Sequence, residues 1–173
     1  MNDLLLRPWQ LSDAAALAAI ANNPLIFQRV RDAFPSPYTH TDAIQWISTA
    51  AKKKPPESFA VEYKGELVGS IGFVPGTDVF RRSCELGYFI GEPYWGKGIA
   101  TEAVKLLTAY IWSLDQFVRI HAHVFSNNIA SAQVLAKNGF ELEATHRKAA
   151  YKNNELLDDQ VWVKLRDELN EQL

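Results

Sequence analysis

A glycine turn set between a strand pattern and a helix pattern constrains this chain more than any other feature. From Glu85 to Ile90, Leu86, Tyr88 and Ile90 alternate with Glu85, Gly87 and Phe89, the period of a strand. Further on, Ala103, Val104, Leu106, Leu107, Tyr110 and Ile111 keep the three-to-four spacing of one apolar helical stripe. Gly96 and Gly98 lie between the two patterns. A glycine lets a backbone approach a ligand, because no Cβ intervenes. A helix starting there presents unpaired N–H groups and the positive end of its dipole. Strand, glycine turn and helix together make an anion site suited to phosphate. The plainer alternative is a turn that only joins the two elements.

Two familiar phosphate sites do not fit. A P-loop requires Ser or Thr after its Lys, and Lys97 is followed by Gly98. A dinucleotide fingerprint requires a third Gly or Ala where Thr101 stands, and a strand that opens the domain, whereas this turn lies past the midpoint. The string Trp95-Gly96-Lys97-Gly98-Ile99-Ala100 instead resembles the coenzyme A loop of the GNAT acetyltransferases, Arg/Gln-x-x-Gly-x-Gly/Ala. It matches at the last two fixed positions, with Trp95 in place of Arg or Gln. The longer run from Tyr94 to Ala103 is similar to the RimJ/RimL branch, which acetylates ribosomal-protein N-termini.

A second string supports the same resemblance. The RimJ/RimL-like pattern Asn-x-x-Ser, helix, Lys-x-Gly-Phe is met by Asn128, Ser131, Lys137, Gly139 and Phe140. Asn128 stands where a helix begins, so it caps that helix or lends its amide to a ligand. Gly139 suits the left-handed position just past the helix end. Many GNAT enzymes carry at the Leu135 position a Tyr that protonates the departing thiolate. Here that Tyr is missing, and the resemblance implies that Ser131 takes over; a second capping residue is the alternative.

The order of patterns is strand, helices, three antiparallel strands, helix, strand, helix and two closing strands. Helices are expected over Ala14–Ala21, capped by Ser12-Asp13, over a short piece of Leu25–Phe34, and after a Thr41-Asp42 cap, running to Lys52-Lys53-Lys54. Those lysines suit a helix C-terminus. A tight turn at Lys64-Gly65 joins two strands, and the two closing strands, Phe140 to Thr145 and Asp159 to Leu165, are expected around Lys152-Asn-Asn-Glu155, in a loop near 146–158. The fold class is α/β (α+β). The resemblance implies the GNAT fold: a mixed, mostly antiparallel sheet, splayed between the strands near 85–90 and 118–125 and flanked by helices. A single domain over residues 1–173 is expected, since 173 residues with 47% apolar content suffice for one core.

The net charge of −2 argues against a nucleic-acid surface. No apolar run approaches a transmembrane span, and Leu4-Leu5-Leu6 between Asp3 and Arg7 is no signal peptide. The lone Cys84 cannot form an internal disulfide. A cytoplasmic protein, monomer or homodimer, is expected.

The resemblance implies acetyl transfer from acetyl-CoA to a primary amine by direct attack. The acceptor is a protein or peptide α-amine or a small amine, with a non-catalytic coenzyme A module as the alternative. The expected cofactor residues are Phe89, Ile90, Trp95, Gly96, Lys97, Gly98, Ile99, Ala100, Thr101, Asn128 and Ser131. Attack needs a neutral amine, an oxyanion donor and a proton for the thiolate. An unpaired N–H near Phe89 to Gly91 is the expected donor. Glu85 is the leading base, with Asp159 and His123 behind it. His121 and His123 share a strand face, but no acidic or thiol ligand accompanies them at metal spacing in the sequence, so no metal is expected. Cys84 as a nucleophile is set aside as a core residue. Tyr38, Trp46 and Tyr151 are candidates to line the acceptor surface, with residues 25–40 and 146–158.

Overall fold

The computed structural model describes residues 3–166. The expected single domain over 1–173 runs beyond these residues at both ends. The described residues form a seven-stranded sheet of β1 (Leu4–Arg7), β2 (Ser58–Tyr63), β3 (Glu66–Pro75), β4 (Ser83–Ile90), β5 (Arg119–Phe125), β6 (Glu141–Lys152) and β7 (Glu155–Leu165), in the order β1-β2-β3-β4-β5-β7-β6. Every neighbouring pair is antiparallel except β4–β5. That one parallel pair follows from its crossover through α4 (Ile99–Ser113).

Alternation sorts β4 between two faces. Cys84, Leu86 and Ile90 pack with Ile120, Ala122 and Val124 of β5 beneath Ala103, Val104, Leu107 and Ile111 of α4. Each large side chain fully buried there contributes roughly 1.5–3 kcal/mol. On the other face, α1 (Ala14–Ala21) and α3 (His40–Ala50) supply Leu17, Ala43 and Ile47, which pack with Trp9, Tyr38 and Ala60. That cover reaches Phe89 and goes no further along β4. Glu85 is left half-buried and Gly87 exposed.

The parallel ladder is short. It joins Ser83–Glu85 to Arg119–His121 and stops. Beyond it β4 continues against β3 as far as Ile90, and β5 continues against β7 as far as Phe125. Each strand follows a different partner, so the two part. α5 (Ile129–Lys137) follows β5.

Several local expectations are corrected. The one helical turn in 25–34 is α2 (Pro24–Phe27), started by the Asn23 side chain accepting from Leu25 N–H. Asp13 does not cap α1; its carboxylate accepts from Arg7 and from Gln10 N–H instead. α3 is capped by Thr39, not by Thr41-Asp42: Thr39 and Asp42 form a capping box. α3 ends at Ala50, short of the lysines. Residues 146–158 are the two arms of the β6–β7 hairpin, turning at Asn153-Asn154 with φ of 51° and 63°. Bulges at 142/144 and 146/150 break the alternation of β6, and the second is why 146–152 reads as a loop, whereas the strand expected over Phe140–Thr145 is found. The Lys64-Gly65 turn is as expected, with φ of 54° and 80°.

Candidate active site

The glycine turn opens a cleft of about 320 Å³ between β4, the start of α4 and the start of α5. Phe89, Ile90, Trp95, Gly96, Gly98, Ile99, Ala100, Thr101, Asn128 and Ser131 all line it. Lys97 does not; its ammonium lies 5.3 Å from the Tyr94 ring centre. Gly96 and Gly98 hold φ of 72° and 76°, left-handed values that favour glycine. A Cβ added at Gly96 would meet nothing within 4 Å, so the space beside it is open.

The first α-helical bond of α4 runs from Glu102 N–H to Gly98 C=O at 3.1 Å. The amides of Ile99, Ala100 and Thr101 therefore lack an acceptor within the helix. The Trp95 amide is spent on Glu92 C=O at 3.1 Å. Arg29 stands over the Trp95 ring at 4.9 Å and, with Lys137, adds positive charge to the cleft. Free amides, a helix dipole, two cations and apolar walls suit an anionic head with an apolar arm, the build of a coenzyme A molecule.

Backbone parity narrows the oxyanion donor. Gly91 N–H donates to Val68 C=O at 2.8 Å, so Gly91 and Phe89 face β3. Tyr88 and Ile90 then direct their peptide groups toward the side where β5 has left. The Ile90 C=O is taken by the Trp95 indole N–H at 2.6 Å.

Asn128 caps α5, its Oδ1 accepting from Ser131 N–H at 3.3 Å. Ser131 Oγ lies 2.9 Å from the Tyr88 hydroxyl. Burial pushes the Tyr88 phenol up to about 12 despite that hydrogen bond, so it stays protonated. Leu135 is fully buried. Cys84 is also fully buried, and burial pushes its thiol up to about 12, which removes it as a nucleophile.

Glu85 lies on the other face of β4, outside this cleft. Arg31 from the segment after α2 donates to its Oε1. On the neighbouring strands His123 Nδ1 is 2.6 Å from Asp159 Oδ2, and His146 Nδ1 is 3.8 Å from the same oxygen. One ligand atom each of Glu85, His121 and His123 lie within 4.8 Å of one another. The ground for rejecting a metal at the two histidines therefore fails, because β4 brings the third ligand that the sequence spacing lacks. Among the acceptor candidates, Tyr38 is buried beside Phe34, while Trp46 and Tyr151 are exposed.

A family model for an acetyltransferase (GNAT) domain matches residues 3–141. The chain belongs to the GNAT acetyltransferase family. Transfer of an acetyl group to an amine is the chemistry of that family. The uncharacterized N-acetyltransferase YoaA of Bacillus subtilis is 37% identical over 97 residues, 56% of this chain and 54% of that protein. The [ribosomal protein uS5]-alanine N-acetyltransferase of Escherichia coli is 34% identical over 100 residues, 56% of this chain and 47% of that protein. The chain thus spans about half the length of these two relatives. Mycobacterium smegmatis RimJ, solved in complex with CoA-disulfide, superposes with a TM-score of 0.83 at 26% identity, covering 97% of this chain and 84% of that one. The GNAT fold and the likeness to RimJ/RimL proteins, both expected from the two motifs, hold.

Four residues with contacts in or around the cleft and Glu85 carry no cue in the sequence. Tyr88 was counted only as a strand residue, although its hydroxyl meets Ser131. Arg29 and Arg31 lie in a segment without helical or strand period, so nothing in the sequence aimed them. Lys152 is buried on the β6–β7 hairpin and reaches Asp32 at 2.6 Å. Among the described residues no helix is long and apolar enough to cross a membrane.

Proposed function

We propose that this chain acetylates the α-amine of a protein or peptide N-terminus, using acetyl-CoA, by direct attack of the amine. One observation carries the proposal. β4 and β5 part just past Glu85 and His121, so the glycine-turn cleft and the Glu85 carboxylate open onto the two sides of one gap.

Acetyl-CoA supplies an acyl group activated as a thioester. Within the chain, the amides of Ile99 to Thr101, with Arg29 and Lys137, hold its anionic phosphates. The Ile90 N–H stabilises developing negative charge on a carbonyl oxygen. Ser131 Oγ–H, itself receiving a hydrogen bond from Tyr88, donates toward the leaving sulfur. Glu85 accepts a proton from the acceptor's ammonium through water, leaving the neutral amine that attacks the thioester carbonyl. Asp159 and His123, paired on β7 and β5, are the alternative route for that proton. The E. coli relative that acts on ribosomal protein uS5 supports an N-terminal acceptor. On this reading the reaction belongs in the cytoplasm. A small amine is the second acceptor class.

An α-amine titrates near 7.7–8.0 and a lysine near 10.4, so at pH 7 roughly a tenth of the former is neutral and far less than a hundredth of the latter. A modest carboxylate therefore suffices for the α-amine. The test compares a peptide with a free N-terminus against the same peptide blocked at its α-amine with Lys left free, read as coenzyme A release. Glu85→Gln is expected to slow the free peptide by about 10²-fold near pH 7, with the deficit shrinking as rising pH deprotonates the amine. Preference for the blocked peptide overturns the α-amine assignment. A pH-independent deficit overturns Glu85 as base and moves the role to Asp159.

A further inference from the structure

We infer that Glu85, His121 and His123 form a binding site for a divalent transition ion of the Zn²⁺ class, on the open face of the β4–β5 splay. The ligand atoms already converge to within 4.8 Å. Side-chain rotation closes that spread to the roughly 3.4 Å between neighbouring ligands on a tetrahedral ion with bonds near 2.1 Å. The three residues sit on paired strands, not on loops. Glu85 is directly opposite His121 in the parallel ladder, and His123 is two residues further along the same strand. The scaffold is therefore rigid where a metal site needs rigidity.

A second observation concerns tautomers. His123 Nδ1 sits 2.6 Å from Asp159 Oδ2, so in the neutral ring that binds a metal Nδ1 carries the proton and Nε2 is left with its lone pair. A carboxylate behind the non-ligating nitrogen is the arrangement that orients and strengthens a metal-bound histidine. His121 Nδ1 is buried with no hydrogen-bond partner. Its ring stands nearly perpendicular to that of His123, at 80° and 5.7 Å between centres. Two imidazoles and one carboxylate select Zn²⁺, Co²⁺ or Ni²⁺ over Mg²⁺ and Ca²⁺, which prefer all-oxygen shells. Three protein ligands leave a further position for water.

Arg31 opposes the ion, because its guanidinium occupies Glu85 Oε1. Its side chain is 64% exposed, so releasing it to solvent costs little. Arg31 and the ion therefore compete for one carboxylate. An ion bound there also takes Glu85 away from the amine, and the resulting inhibition is competitive with the acceptor. That last consequence rests on Glu85 being the base; the binding does not.

The test is calorimetric titration of ZnCl₂ into the full chain in chelator-free buffer, without acetyl-CoA or amine. One equivalent is expected to bind, with no heat from Mg²⁺ or Ca²⁺. His121→Ala and His123→Ala are each expected to weaken binding by more than ~10-fold, and Asp159→Asn by about 10-fold. Arg31→Ala is expected to tighten it several-fold. Unchanged thermal unfolding and acetyl-CoA affinity control for folding. Absence of saturable binding overturns the site, as do undiminished binding in both histidine variants and loss confined to a His40 or His146 variant. One-to-one binding without inhibition of turnover supports the site and overturns Glu85 as base.

Discussion

Two hydroxyls, Ser131 in the first turn of α5 and Tyr88 on β4, meet where the proposed mechanism needs a proton for the leaving sulfur. Ser131 Oγ is 2.9 Å from the Tyr88 hydroxyl. Burial keeps the Tyr88 phenol protonated to about pH 12, so its O–H is able to donate to Ser131 Oγ; on the proposed mechanism it does, and Ser131 keeps its own proton to give. Ser131→Ala is expected to lower kcat by about 10–100-fold, and Tyr88→Phe by about 5-fold, the worth of one neutral hydrogen bond. Coenzyme A affinity, measured by calorimetry, is expected to change by less than about 3-fold in both. Neither deficit should vary between pH 6 and 9, since neither hydroxyl titrates in that range. Unchanged kcat in Ser131→Ala would reduce Ser131 to its backbone role under Asn128.

Among the elements, α4 carries the strongest functional signal, through its first turn. Gly98 holds φ of 76° at the N-cap, and the next three amides have no helical acceptor. Gly98→Ala adds a Cβ in the left-handed region at a cost of about 1–2 kcal/mol in stability. Gly98→Glu adds the same strain and also a carboxylate beside the phosphate site. Thermal unfolding is therefore expected to drop similarly in both variants, whereas acetyl-CoA binding by calorimetry is expected to vanish only in Gly98→Glu. Equal retention of binding in the two variants would move the cofactor away from this turn. This element was legible in sequence because its cues are local: alternation in β4, two glycines, and a 3.6-residue stripe. The end of α5 was legible for the same reason. Gly139 has φ of 75°, and the bonds from Phe140 N–H to Leu135 C=O and from Gly139 N–H to Ala136 C=O complete a Schellman motif. The start of α3 was displaced because Thr39 and Thr41 are both plausible caps, and only the reciprocal bond with Asp42 decides between them. The two closing strands and their turn at Lys152-Asn-Asn-Glu155 were legible, but the inner arms of the β6–β7 hairpin, 146–152 and 155–158, were not, because the bulge in β6 erases period two there. Glu85 was legible as a candidate base, but not its company: His121, His123 and Asp159 come near it only through strand pairing across the sheet, and Arg31 only through the segment after α2.

For the molecule as a whole, the gap between β4 and β5 is useful only if something roofs it on the Glu85 side. Two segments distant in sequence do this together. The segment after α2 reaches β4 through Arg31 on Glu85, and it reaches the β6–β7 hairpin through Asp32 on Lys152 at 2.6 Å. Lys152 is only 4% exposed, and its ammonium also lies 3.4 Å from the centre of the Phe27 ring on α2. This one side chain ties the hairpin to both α2 and the segment that bears Arg31. Its partner Asp32 is 73% exposed, so water compensates Asp32 when the tie is cut. Lys152→Met keeps the buried stem and removes the charge, which relieves desolvation while losing the ion pair and the cation–π contact. Stability is therefore expected to change by less than about 1 kcal/mol, read from chemical denaturation. The roof, however, loses its anchor. KM for the acceptor is expected to rise by about 5–10-fold, the worth of one such contact, and KM for acetyl-CoA by less, since only Arg29 and Val30 of the anchored segment also line the glycine-turn cleft. Asp32→Ala is expected to give a smaller rise in the same direction, because the contact with Phe27 survives. A rise in KM for acetyl-CoA alone would show that Lys152 supports the cofactor side, and an unchanged acceptor KM would show that the hairpin does not form part of the acceptor wall.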